Sequence, residues 1–247
     1  MPKNKRLRVF AGPNGSGKST LFKEFKQQFD PGYFINADKL EKQLANNGFI
    51  DLHPIGLKAS EKELTSFLKT KEAKSLIAKS IAEGYFISIK IKENCIVATP
   101  KDMHSYEASF VAAFIRWLLY RHEKSFSFET VMSHRSKINE MKQAQKKGYR
   151  TYLYFVCIDD PQINVQRVED RVKKGGHDVD TAKIISRYPG TLKNLYLAIR
   201  HANRAFLFDN SGKQQVLIAE ISEGVLQIKA DIIPNWFLKY VLPHYKN

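Results

Sequence analysis

Cysteine is nearly absent: Cys95 and Cys157 are the only two in 247 residues. Two cysteines build neither a disulfide framework nor a metal cage. Cys157, inside the apolar run Tyr152–Ile158, reads as a small buried hydrophobe. Long hydrophobic runs are also missing. The most apolar stretch, Phe110 to Tyr120, is too short to span a bilayer and carries Arg116. No secretory signal is legible, because the basic start Pro2–Arg6 runs into a glycine-rich segment. The expectation is a cytoplasmic protein without a membrane partner. Acidic residues are outnumbered: 40 Lys+Arg against 25 Asp+Glu leave a net charge of +15. That balance favours anionic partners such as nucleotides, nucleic acid or acidic surfaces, or serves solubility alone. The lysines are scattered, and the aromatic signatures of RNA binding are not seen.

What is present is organised around Ala11-Gly-Pro-Asn-Gly-Ser-Gly-Lys-Ser-Thr20, which contains Gly12-x4-Gly17-Lys18-Ser19. This is the phosphate-binding loop pattern. The strand-like Leu7–Phe10 precedes it. Leu21, Phe22, Phe25 and Phe29 follow on one face of a helix. Glycines let backbone N–H groups turn inward around an anion, and the helix points its positive end at the same place. The binding set is therefore Gly12, Pro13, Asn14, Gly15, Ser16, Gly17, Lys18, Ser19 and Thr20. Lys18 supplies charge to the β- and γ-phosphates of a nucleotide, and Ser19 offers a hydroxyl to Mg²⁺. No Leu-Ser-Gly-Gly-Gln-like stretch and no apolar strand ending Asp-Glu accompanies the loop, which argues against a transporter ATPase.

Beyond the loop, Phe34–Asp38 reads as a strand ending in an acid, and Lys39–Asn46 as a helix stopped by Asn47-Gly48. Phe49 to Ala59 reads as irregular. Ser60-x-x-Glu63 is a capping box for one or two helices ending at Gly84. Tyr85–Lys92 and Cys95–Ala98 read as an inserted hairpin, and Ser105–His122 as a helix buried on several sides. Ser127–Val131, Arg150–Ile158 and Ala205–Asp209 read as core strands. Between them, Ser136–Lys147, Pro161–Lys173 and Val179–Ala202 read as helices. Gln215–Ser222 and Val225–Lys229 form a terminal hairpin, followed by a short helix near Trp236. Strands alternating with helices predict an α/β fold: a mostly parallel sheet with helices on both faces. The expectation is one domain over 1–247, with an insertion at 57–122 and a C-terminal extension at 213–247.

Ligands of open parallel sheets gather at the carboxyl ends of strands. The candidates there are Asp38, Glu129, Thr130, Asp159, Asp160 and Asp209. Asp38 reads equally as a base for an acceptor hydroxyl or as a helix N-cap. Glu129 follows Phe126 and Phe128 into an enclosed region, where an acid binds substrate or pairs with a base. Asp159-Asp160 precedes Pro161, which favours a capping role for one of them. Arg167, Arg171 and Arg187 surround Gly175-Gly176-His177-Asp178. A glycine-hinged basic segment there suits a lid over phosphates, or is a solvated basic face.

The P-loop, Asn36-Ala-Asp38, Phe128-Glu-Thr-Val131, Arg167-x3-Arg171-x3-Gly-Gly-His-Asp-Val179, Arg187-Tyr188 and Asp209-Asn-Ser211 occur in this order. Together they resemble the zeta-toxin / UDP-N-acetylglucosamine kinase family of P-loop kinases, in its small "predicted ABC-type ATPase" branch. The similarity spans most of residues 7–211. It implies a P-loop kinase fold, ATP and Mg²⁺ as cofactors, and phosphoryl transfer to a small-molecule hydroxyl, a sugar nucleotide among the candidates. Asp38 matches the family's base, Lys18 and Ser19 its ATP and Mg²⁺ contacts, and Glu129 and Thr130 its acceptor-side motif. Arg171 and Arg187 match its phosphate-stabilising arginines, and Arg167 lies with the nucleotide. Two departures stand out. Leu57–His122 does not match the sugar-nucleotide enzymes, and Pro189-Gly190 replaces a more basic stretch. The other readings are a nucleic-acid kinase or nucleic-acid-stimulated ATPase, and a toxin component held by an antitoxin protein.

Overall fold

The computed structural model describes residues 5–98 and 105–245. Residues 2–4 of the basic start lie outside them. In chain order the elements are β1 (Arg6–Ala11), α1 (Lys18–Gln28), β2 (Tyr33–Ile35), α2 (Ala37–Asn47), β3 (Phe49–Asp51), α3 (Glu61–Leu68) and α4 (Lys71–Ala82). Next come β4 (Ile89–Lys92), β5 (Cys95–Ala98), α5 (Ser105–Arg121), β6 (Phe126–Thr130), α6 (Ser136–Lys146), β7 (Arg150–Cys157) and α7 (Pro161–Lys173). The chain finishes with α8 (Thr181–Ile199), β8 (Arg204–Asp209), β9 (Val216–Ser222), β10 (Val225–Ile228), α9 (Asn235–Tyr240) and a 3-10 turn, Leu242–His244. These elements form two compact units, one from the chain up to Gly32 together with everything from Ser127 onward, the other from Tyr33–Phe126.

The first unit is a sheet in the order β10-β9-β8-β7-β1-β6, with helices packed against it. β7 is parallel to both β1 and β8. Five of the six β1 residues are buried, as expected of a strand covered on both faces. In-register pairing places Phe10, Tyr154 and Phe206 side by side on neighbouring strands. Their rings stack at 4.8 and 5.1 Å between centroids. Phe22 and Phe25 of α1 meet Phe10 edge-on at 5.2 and 5.6 Å. This aromatic cluster fixes β1 and α1, the two elements that flank the glycine loop. The C-terminal hairpin extends the same sheet: β9 runs antiparallel to β8, and β10 to β9.

The second unit gathers around α5, eleven of whose residues are buried. Phe67 of α3 packs on Phe110 and Phe114 at 5.2 and 5.3 Å. Arg116, buried on this helix, pairs with Glu72 at 3.0 Å. The Ser60–Glu63 capping box forms as the sequence predicts. Phe49–Asp51 is a strand rather than irregular chain, because β3 pairs with β5 in a three-stranded sheet ordered β3-β5-β4. The β4–β5 hairpin turns at Glu93-Asn94, both at positive φ (50° and 60°), the geometry of a two-residue hairpin turn. The strand expected from Tyr85 begins only at Ile89.

Candidate active site

The glycine loop joins β1 to α1. Gly12 has φ 143°, and a Cβ there would stand 2.0 Å from the Val156 carbonyl oxygen. Only glycine lets the loop leave β1 while lying against β7. Gly17, at φ 103°, sits at the N-cap of α1 without a side chain to cap it, and the positive end of the helix lies at the glycine loop. Lys18 is 6% exposed, and its ammonium donates to the Pro13 carbonyl at 2.7 Å. The cation is thus held over the loop.

Two asparagines tie the loop down from elsewhere in the unit. Asn164, fully buried on α7, donates to the Asn14 carbonyl at 2.5 Å. Asn210, just after β8, donates to the Ser16 carbonyl at 2.8 Å. The sequence assigns neither of them a role, although Asn210 stands within Asp209-Asn-Ser211. A signal exists for Asn164, which shares the buried stripe of α7 with Val165 and Val168. Asn210 carries no such periodic signal.

Ser19 lies in the first turn of α1, and its hydroxyl donates to the Glu129 carboxylate at the end of β6, at 3.2 and 3.0 Å to the two oxygens. Glu129 is half-buried. The structure therefore brings together two predicted residues that the sequence assigned to different tasks. A hydroxyl and a carboxylate side by side are hard oxygen donors of the kind Mg²⁺ takes, alongside waters and phosphate oxygens. Among the described residues no three His, Cys, Asp or Glu side chains cluster as a metal cage. Thr130 turns the chain after β6, accepting from the Met132 N–H at 3.0 Å. Met132 adopts φ 61°, an uncommon conformation for a side chain of this size. Thr191 and Asn194 of α8 hold this segment through the carbonyls of Val131 and Met132, both at 3.0 Å.

The remaining acids separate by role. Asp160 caps α7 through the Gln162 N–H at 2.8 Å. Asp159 accepts from the N–H groups of Asn235 and Trp236 at 2.9 and 2.7 Å, at the start of α9. Asp209 accepts from Ser211 and from the Trp236 indole. Each of these three carboxylates holds backbone or side-chain groups in place. Asp38 belongs to the other unit. It lies in the first turn of α2 instead of ending a strand, because Asn36 caps the Lys39 N–H at 3.0 Å and starts the helix early. Asp38 is therefore not the N-cap.

Arg167 and Arg171 line a cleft of about 460 Å³ with Asp170, Lys174, Gly175 and Gly176. Nε and Nη2 of Arg171 are shielded from solvent and have no hydrogen-bond partner among the described residues. Asn14 Oδ1 and Ser16 Oγ, on the loop itself, are in the same condition. Buried polar atoms are rarely left so, and a bound anion would satisfy the guanidinium. Arg187 is exposed on α8 and does not line this cleft. Tyr188 beside it is buried, and its hydroxyl donates to the carbonyls of Ile158 and Asp159 at 2.6 and 3.0 Å. Burial pushes the Tyr188 phenol strongly upward in pKa. It does the same to the Cys157 thiol, which leaves Cys157 inert. Val179 packs on Val165, Val168 and Ile184, anchoring the far end of the glycine-hinged segment.

No family model matches the chain. A stretch of 63 residues, 26% of this chain, is 35% identical to an uncharacterized protein of Haemophilus influenzae. Among solved structures, the AvrRxo1-ORF1:AvrRxo1-ORF2 complex with sulphate ions aligns over 92% of this chain at a TM-score of 0.58 and 16% identity. The same complex with ATP aligns over 92% at a TM-score of 0.56 and 14% identity. The chain covers 61% of those solved chains and 45% of the Haemophilus protein. At such identity the likeness shows the fold alone: an α/β architecture with a mostly parallel central sheet flanked by helices and a phosphate-binding-type loop between β1 and α1. Among the described residues no helix is long and apolar enough to cross a membrane.

Proposed function

We propose that the chain transfers the γ-phosphoryl group of ATP to a hydroxyl of a small molecule, with sugar nucleotides as the first acceptor class. The observation that carries this reading is the loop Gly12–Ser19, with the Lys18 ammonium held over the Pro13 carbonyl and the Ser19 hydroxyl against the Glu129 carboxylate. It is further supported by a solved relative whose complex was crystallised with ATP.

In this reading the loop N–H groups and Lys18 hold the β- and γ-phosphates. Ser19 and Glu129 would hold Mg²⁺, which would supply positive charge against the charge developing on the phosphates. Arg171, whose Nε and Nη2 are unpartnered among the described residues, donates to phosphate oxygens. Arg167 serves the nucleotide, and Arg187 reaches the phosphates only if its side chain swings from solvent. Asp38 takes the proton of the attacking hydroxyl. A bond forms between that oxygen and the γ-phosphorus, the β–γ bridging bond breaks, and ADP leaves with the electron pair. Thr130 shapes the acceptor side by turning the chain after Glu129.

The test is incubation with labelled ATP and Mg²⁺ across sugar nucleotides, nucleosides, dinucleotides and short oligonucleotides. The last class enters because of the +15 charge. Phosphorylated product with the wild-type chain, lost in Asp38→Ala while ATP binding persists, is the expected result. Normal transfer by Asp38→Ala removes the assigned base. A second reading is favoured by the two-chain complex in which the AvrRxo1-ORF1 relative was crystallised: a toxin component held by a small antitoxin protein. Co-purification of such a partner from native cells tests it.

A further inference from the structure

We infer that the first unit carries a second ligand site, at the end of the sheet opposite the glycine loop. It binds single-stranded nucleic acid, seating a base on the His244 ring and the neighbouring phosphates on Arg200 and Lys142. The inference does not draw on the ATP reading above.

The site is a cavity of about 770 Å³, within the size range of ligand pockets. It lies between the end of α8, the β9–β10 turn and the C-terminal 3-10 turn. Tyr196 and Arg200, Glu223 and Val225, and His244 and Tyr245 line it from those three sides. Asn203, just before β8, also lines it and accepts from the Thr151 N–H at the start of β7. The glycine loop instead leaves the far end of β1. Strands β1, β7 and β8 run parallel, so a strand length, roughly 20 Å, separates the two places.

The cavity holds a stacking platform. Tyr196 and His244 lie face to face, 3.7 Å between centroids and 6° from coplanar. Tyr245 meets Tyr196 edge-on at 6.1 Å and steadies the pair. Tyr196 is the inner, half-buried ring, and His244 is the outer, exposed one. An exposed ring backed by a second ring is the kind of surface on which unpaired bases stack, whatever their identity.

Cations converge beside the platform. Arg200 follows Tyr196 by four residues, on the same face of α8. Burial, and then the charges of Lys142 and Arg200, hold the His201 imidazole below its ordinary range. Both cations therefore stand about that ring. Lys146 follows Lys142 by one turn of α6. On the adjoining strand ends Arg150 pairs in register with Arg6, and both are exposed. Glu223 is the one acid among the described residues that line the cavity, and a carboxylate accepts from the amino group of a base. A free nucleotide needs one or two cations. A row of them beside an aromatic platform answers the repeating charge of a phosphate backbone.

Fluorescence anisotropy of the full chain at low salt tests the site. The probes are a labelled ten-nucleotide RNA, the single-stranded DNA of the same sequence, and its duplex. The wild type is expected to bind at least one of the single strands. His244→Ala should weaken that binding about 5- to 100-fold. His244→Phe should restore it, since stacking needs a ring and no polar atom. The duplex, whose bases are already stacked, should be insensitive to His244→Ala. Arg200→Ala and Lys142→Ala should each lower the slope of log affinity against log salt by about 0.7. Melting temperatures report folding, and if His244→Ala misfolds the two slopes carry the test. Lys18→Ala should bind the strands as the wild type does. Its failure to do so would put the strand in the glycine loop and overturn the inference. So would a wild type that binds neither single strand, a folded His244→Ala that binds as well as wild type, or a duplex equally weakened by it. None of these results bears on phosphoryl transfer, which is measured separately.

Discussion

The hydroxyl of Ser19 is shared between both carboxylate oxygens of Glu129, at 3.2 and 3.0 Å, across the junction of α1 and β6. If this pair holds Mg²⁺, Glu129→Gln keeps the hydrogen-bonded shape and removes the charge. Apparent Mg²⁺ affinity should fall at least about 10- to 100-fold, as when groups supporting a metal site are changed. Metal-free ATP binding should persist or tighten, since a negative charge near the phosphates is gone. Mg²⁺ titration of ATP turnover, alongside calorimetry in chelator, measures both.

Lys18→Ala removes the ammonium from the Pro13 carbonyl. A hydrogen bond to a charged group contributes about 1.5–3 kcal/mol. Loss of one to a phosphate should weaken ATP binding by roughly 10- to 150-fold. The fold should survive, because the charge is removed together with its desolvation cost. Calorimetry and a thermal melt separate the two effects.

Gly12→Ala places a methyl 2.0 Å from the Val156 oxygen in a backbone conformation that alanine rarely adopts. Forced overlap of this kind costs about 1–3 kcal/mol or more. The melting temperature should drop and ATP binding be lost together. Gly212→Ala, where a Cβ meets nothing within 4 Å, is the control that should leave the melt unchanged.

Tyr154 stacks between Phe10 and Phe206, and burial pushes its phenol up to about 12 from 10.0. The folded state thus favours the neutral ring. Its contribution is complete below pH 10 and is lost as pH rises through 12, on the order of 2–3 kcal/mol in all. Denaturant melts from pH 9 upward should show this alkaline decline in wild type and a shallower one in Tyr154→Phe.

Local signals carry most of what is legible in the sequence. The glycine loop, the Ser60–Glu63 box, Pro161 at the start of α7 and the alternation of strands with helices each depend on residues close together in the chain. The misplaced elements depend on distant partners or on competing local bonds. Asp38 moved from a strand end into a helix because the Asn36 side chain captured the Lys39 N–H. β3 is three residues long and exists through its pairing with β5. Asp159 could be suspected of capping, but the helix it serves begins some 76 residues later, at Asn235. The asparagines that brace the loop share this property: no window of sequence around residue 14 contains Asn164 or Asn210.

Those braces have a consequence for synthesis. The bond from Asn164 reaches back 150 residues to Asn14, and the bond from Asn210 reaches back 194 residues to Ser16. At translation speeds of about 5–20 residues per second, the second brace arrives roughly 10–40 s after the loop has been made. Until then the nascent chain carries its glycines and lysine without the scaffold that sets them. On the proposed function, competence to grip a nucleotide would be deferred until synthesis has passed Asn210.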